Sequence, residues 1–190
     1  MNLPKNGIVL NTRRLMLRQL CREDIPQLLP LIGTREVAAT TLRIPHPYTQ
    51  DDALKFLEHC DALWDRREGA RFGIFVREGE RLCGGIGLDA KLNHNHAELG
   101  YWIGVPFWGK GYCTEAAREV LKFGFETLQL HRIHAGHFSN NPASGRILQK
   151  LGMKHEGRSR EHICKWGEYL DVEIYGLLAR EYRVQAACIA

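Results

Sequence analysis

The segment Ile103-Gly104-Val105-Pro106-Phe107-Trp108-Gly109-Lys110-Gly111-Tyr112-Cys113-Thr114 constrains the fold of this chain more than any other. It places glycines between the end of a strand-like stretch and the start of a helical one. Glycines there let successive backbone N–H groups face one concavity, and the helix that follows adds about half a positive charge at its N-terminus. Such a turn can hold a diphosphate without a metal. It can equally be a tight turn that only needs positive φ at Gly109 and Gly111. Neither G-x-x-x-x-G-K-[ST] nor G-x-G-x-x-G is present, which disfavours an NTPase and a Rossmann dehydrogenase.

Hydrophobic periodicity gives the elements around this turn. Alternation over Arg14 to Leu20 predicts a first strand, and Glu23-Asp24 followed by apolar residues from Ile25 to Ile32 predicts a helix. After a loop marked by Pro45 and Pro47, Thr49 with Asp51 and Asp52 can cap a long helix to about Arg67, with Ala53, Phe56, Leu57, Cys60 and Trp64 on one face. Arg71 to Val76 and Arg81 to Leu88 flank the turn Arg77-Glu78-Gly79-Glu80 as a hairpin, and a further strand runs from Ala97 to Val105. Three adjacent strands imply an antiparallel meander. The second half reads as a helix over Thr114 to Leu128, a strand over His131 to Phe138 and a helix over Pro142 to Leu151. Two more strands follow, near Met153 to Ile163 and Leu170 to Leu178. The class is α+β, a single domain over 1–190 with its core at about 12–182.

A chain of 190 residues can bury a full core without staples. Its formal charge of +4 comes from 26 basic and 22 acidic residues mixed along the chain, a solvated surface rather than a nucleic-acid footprint. Met1 to Thr12 has no apolar run with a cleavage site, and no stretch approaches the roughly 18 to 20 apolar residues of a membrane span. A cytoplasmic protein without membrane or nucleic-acid partners is expected. Cys21, Cys60, Cys83, Cys113, Cys164 and Cys188 include no C-x-x-C pair, so all six read as reduced thiols. His131, His134 and His137 invite a metal reading, yet on a strand the middle one points away from the other two. No metal is expected.

Gly100-Tyr101-Trp102-Ile103 followed by Trp108 to Ala116 resembles the acetyl-CoA pyrophosphate loop of the GNAT acetyltransferases, and most closely the branch containing the RimJ and RimL ribosomal-protein N-terminal acetyltransferases. The branch usually carries Ala where this chain has Cys113. A thiol at a helix N-terminus can acquire a lowered pKa and act as a nucleophile, whereas the family uses this position for backbone contact. The stretch Asn140 to Met153 is similar to the second GNAT signature: Asn141, Lys150 and Gly152 match, Ser144 replaces the small residue, and Leu148 stands where many members have Tyr. That Tyr is the usual acid for the departing thiolate, and in the ribosomal-protein branch the serine position is thought to serve, so the resemblance nominates Ser144. A first-turn serine exposed to solvent is the plainer alternative.

The resemblance implies a mixed, mostly antiparallel twisted sheet of about seven strands flanked by about four helices, splayed at 97–105. It also implies that Ile103, Gly104 and Val105 bind the pantetheine arm, and that Trp108, Gly109, Lys110, Gly111, Tyr112, Cys113, Thr114, Asn141 and Ser144 complete the acetyl-CoA site. Direct transfer to a neutral amine needs a base and an acid. Glu98 shares a strand face with Gly100, Trp102 and Gly104 and is one candidate base, while Glu161 is a second. The acceptor is expected to be a protein N-terminal α-amine. An aminoglycoside, polyamine or amino acid is the nearest rival, and a catalytically silent acetyl-CoA-binding module a third. The Val37 to Thr49 loop and the Lys165 to Leu170 turn are the expected acceptor walls, and the resemblance leaves room for a homodimer.

Overall fold

In the strand that begins at Leu15, Leu15 and Leu17 are fully buried in one apolar cluster while Met16 packs against another, because successive strand side chains point to opposite faces. That division runs through the whole molecule. The structure, a computed structural model, describes residues 7–187. Its strands are β1 (Leu10–Asn11), β2 (Leu15–Arg18), β3 (Gly69–Val76), β4 (Arg81–Lys91), β5 (His96–Ile103), β6 (Arg132–Phe138), β7 (Lys154–Lys165) and β8 (Glu168–Leu178). Its helices are α1 (Ile25–Ile32), α2 (Arg35–Ala39), α3 (Gln50–Asp65), α4 (Tyr112–Lys122), α5 (Pro142–Lys150) and α6 (Ala179–Ala187). The strands form one sheet in the order β1-β2-β3-β4-β5-β6-β8-β7, antiparallel except between β5 and β6.

Helices cover both faces. Ala116, Ala117, Val120 and Leu121 of α4 pack on one side with Leu88, Leu99 and Ile133. On the other, Ile25, Leu28 and Ile32 of α1 meet Ala53 and Leu57 of α3 over Phe75 and Leu82. The Thr49 side chain accepts from the Asp52 N–H while the Asp52 carboxylate accepts from Thr49, a reciprocal cap that fixes where α3 begins.

Among the described residues, eight strands and six helices stand against the expected seven and four. The additional elements β1, α2 and α6 are two, five and nine residues long. The first two are too short for periodicity to register, and α2 lies at the start of the expected acceptor loop. The helix expected over Thr114 to Leu128 begins at Tyr112 and gives way to a π-helical turn at Phe123–Thr127. No helix among the described residues is long and apolar enough to cross a membrane. Cys188 lies outside the described residues.

Candidate active site

The site arises from a failure of strand pairing. β5 and β6 pair only at His96↔Arg132, Ala97↔Ile133 and Glu98↔His134. Beyond these residues they part: β5 stays in register with β4 as far as Gly84↔Ile103, and β6 with β8 as far as Phe138↔Val172. In an antiparallel pair the N–H and C=O of one residue point the same way, alternating along the strand. Gly104 N–H donates to the Cys83 carbonyl at 2.9 Å, so the main-chain groups of Tyr101 and Ile103 face the open side. The Ile103 carbonyl accepts the Trp108 indole N–H at 2.6 Å, which pins the following turn against the strand end.

The slot widens into a cavity of about 990 Å³ whose walls include Leu99 to Ile103 of β5, Gly136 to Phe138 of β6, and Ser144, Arg146, Ile147 and Lys150 of α5. At one end stands the turn that leads into α4. Gly109 and Gly111 have φ of +75° and +77°. A Cβ on Gly109 would meet nothing within 4 Å, so the left-handed backbone and not lack of room calls for glycine there. The first N–H of α4 with a main-chain partner is that of Glu115, which donates to the Gly111 carbonyl at 3.1 Å. Among the described residues no acceptor takes the N–H groups of residues 109–114. A helix start whose donors lack partners beside a cavity has the chemistry to hold an anion, and Arg146 and Lys150 line the same cavity.

Glu115 anchors this turn. Its carboxylate accepts from Thr12 Oγ1 at 2.6 Å, from Arg14 N–H at 2.9 Å and from Arg14 Nε at 2.6 Å. Arg14 also donates to the Lys110 carbonyl at 3.1 Å. Burial alone would raise the Glu115 carboxyl, but these donors hold it below the usual carboxylate range.

Ser144 stands in the first turn of α5, where Asn141 Oδ1 accepts its N–H at 3.2 Å as the helix cap. It is 8% exposed, so the solvent-facing alternative does not describe it. Its Oγ lies 2.7 Å from the Tyr101 hydroxyl. Leu148 is fully buried in the core and brings no hydroxyl to the site.

At the other end of the cavity charged groups are already paired. Arg71 Nη2 lies 2.5 Å from Asp89 Oδ2, Arg43 Nη1 lies 2.8 Å from the same oxygen, and Arg43 Nη2 is 3.7 Å from Glu98 Oε2. The two segments expected as acceptor walls meet: Lys165 Nζ donates to the Thr41 carbonyl, and the centres of the His46 and Trp166 rings are 6.3 Å apart.

The family description "Acetyltransferase (GNAT) domain" matches residues 14–154. The chain belongs to the GNAT acetyltransferase family. It is 32% identical over 171 residues to the uncharacterized N-acetyltransferase YoaA of Bacillus subtilis, covering 90% of this chain and 96% of that protein. It is also 30% identical over 102 residues to the [ribosomal protein uS5]-alanine N-acetyltransferase of Escherichia coli, a match that covers 53% of each chain. Among solved structures, the RimL ribosomal L7/L12 α-N-protein acetyltransferase in complex with coenzyme A has the same fold, with a TM-score of 0.82 at 18% identity over 90% of this chain and 98% of that one. The chain is thus an N-acetyltransferase.

Within this GNAT domain the residues read from the sequence fall into two groups. Ile103, Trp108, Gly109, Gly111, Tyr112, Cys113, Thr114, Asn141, Ser144 and Glu98 line one cavity. Gly104, Val105 and Lys110 do not: the Gly104 N–H donates to the Cys83 carbonyl of β4, and the Val105 carbonyl accepts the Trp108 N–H in the turn. Glu161 is exposed outside the cavity, its N–H donating to Asp171 Oδ1 at 2.8 Å, while its neighbours His162 and Ile163 line the wall. Burial pushes the Cys113 thiol up, with Cys83 adding to the effect, so helix-dipole activation does not prevail there. Sequence reasoning passed over Tyr101 and Arg146. Tyr101 stands inside the quoted Gly-Tyr-Trp-Ile signature, but only the fold shows which group it meets.

Proposed function

We propose that this GNAT enzyme transfers acetyl from acetyl-CoA to a protein N-terminal α-amine, with the orphan amides of residues 109–114 holding the coenzyme's diphosphate. Acetyl-CoA when bound supplies a thioester: the C–N bond to the amine forms as the C–S bond breaks, one proton must leave nitrogen, and the sulfur must gain one. The chain's own groups fit each demand. The Ile103 N–H faces the slot and can donate to a carbonyl oxygen there. Ser144, buried beside the slot, is the acid. Glu98, at the last β5–β6 pair and in the same cavity, is the base, directly or through water. Glu161 stands outside that cavity and is not assigned a role.

The acceptor reading rests on the paired charges. A polycation would be drawn to free carboxylates, but Asp89 is shared by two guanidiniums and Glu98 faces one of them. A peptide terminus asks for one amine site and a mixed polar wall, which this end provides. The likeness to the uS5-alanine acetyltransferase supports the same choice. The proposed setting is the cytoplasm.

Calorimetric titration with acetyl-CoA, paired with thiol release over peptides beginning with Ala or Ser and over spermidine, tests the reading. Binding with turnover of the peptides is expected, and Ser144→Ala and Glu98→Gln should each lower kcat roughly a hundredfold. Turnover of spermidine alone overturns the acceptor assignment. Binding without any turnover points to a silent module.

A further inference from the structure

β5 brings a second hydroxyl to the slot. Tyr101 packs against the core on the side of α4 and α5. Its hydroxyl oxygen lies 2.7 Å from Ser144 Oγ and 3.3 Å from the Ser144 carbonyl oxygen. The contact spans the gap between a strand that has lost its neighbour and the first turn of α5. The single phenolic O–H is a stronger hydrogen-bond acid than the serine hydroxyl, and of its two neighbouring acceptors Ser144 Oγ at 2.7 Å is much nearer than the Ser144 carbonyl at 3.3 Å, so Tyr101 donates to Oγ. Ser144 Oγ then keeps its own O–H, and no described residue accepts that proton. Burial pushes the Tyr101 phenol up, the buried Cys113 adding to this and the Ser144 hydrogen bond opposing it, so the phenol stays a donor through moderately alkaline pH.

We propose that Tyr101 is a positioning residue for Ser144: its O–H donates to Ser144 Oγ and thereby aims the Ser144 proton into the cavity, toward the departing sulfur. The inference rests on the reading of Ser144 as the acid. A serine hydroxyl is a weak acid, and a hydrogen bond donated to its oxygen stabilises the negative charge that grows there as the proton leaves. In the balanced step the C–N bond forms and the C–S bond breaks. The Ser144 hydroxyl proton passes to sulfur, and the proton that Glu98 takes from nitrogen returns to Ser144 Oγ through water. Tyr101 loses no proton in the cycle.

Tyr101→Phe keeps the ring and its packing and removes only the bridge. Calorimetry with CoA and desulfo-CoA gives a reading independent of turnover. At pH 9 the wild type should hold CoA about tenfold more tightly than desulfo-CoA, the size expected for a hydrogen bond to a charged sulfur. Tyr101→Phe and Ser144→Ala should each erase that preference while leaving desulfo-CoA affinity unchanged. In thiol release with an Ala-initiated peptide, Tyr101→Phe should lower kcat about tenfold or more at unchanged KM, and the double variant should be no slower than Ser144→Ala alone. A Tyr101→Phe enzyme with wild-type preference for CoA, or losses that multiply in the double variant, overturns the proposal while an impaired Ser144→Ala leaves the acid reading standing. Wild-type behaviour of Ser144→Ala overturns both.

Discussion

Gly111 separates two demands that a glycine can meet. Its φ of +77° is costly for a residue with a side chain, yet an added Cβ would find only the Arg14 guanidinium, at 3.5 Å. Gly111→Ala should therefore cost about 1 kcal/mol of stability through the backbone, with little effect on acetyl-CoA affinity. Gly111→Asp carries the same strain and adds a negative charge to the proposed diphosphate site, so it should weaken acetyl-CoA binding about tenfold or more, on the order of a lost charge-assisted contact. Melting curves beside calorimetry distinguish the two, and equal affinity losses would deny the turn its binding role. Both glycines were legible in the sequence, because the requirement is local. Tyr101 was not, because its meaning lies in a hydroxyl on a helix that follows the next strand. Cys113 shows the converse: its place at a helix N-terminus was legible, but the burial that raises its thiol was not.

At the scale of elements, α4 is useful only where its N-terminus is held, and Glu115 ties it to the segment before β2. The Glu115 carboxyl is depressed in the folded chain, so its stabilisation is fully present above the ordinary carboxylate pKa and is lost as pH falls through the lower folded value. The wild type should therefore lose melting temperature more steeply below about pH 4 than Glu115→Gln does. Parallel acid profiles would remove Glu115 as an anchor. At pH 7 the same variant should bind acetyl-CoA less tightly, since the Arg14 clasp on the Lys110 carbonyl loosens with it. Long periodic elements were legible: α3 begins after Thr49 with the expected cap, and β3 and β4 form the expected hairpin. The two-residue β1 and five-residue α2 carry too few residues for a period to emerge.

At the scale of the whole molecule, function follows from strand order. Periodicity and turn residues placed β3, β4 and β5 in an antiparallel meander but named no neighbours for the later strands, so the insertion of β8 between β6 and β7 could not be read from them. The opening between β5 and β6 was expected only through the likeness of the glycine turn and the Asn141 helix to the GNAT signatures. The fold realises it as a short parallel contact followed by divergence, and the cavity collects in one place the turn, the Ser144 helix and the paired charges around Glu98. The two segments expected as acceptor walls were named from the sequence, but their junction through Lys165 and Thr41 joins residues far apart in the chain. The most direct measurement of the account is the backbone amide NMR spectrum during titration with CoA, with pantetheine, which lacks the diphosphate, as the control. CoA should shift the N–H signals of residues 109–114 strongly downfield and pantetheine should leave them in place. Saturation with CoA that leaves those six amides unmoved would contradict the cradle on which the proposed function stands.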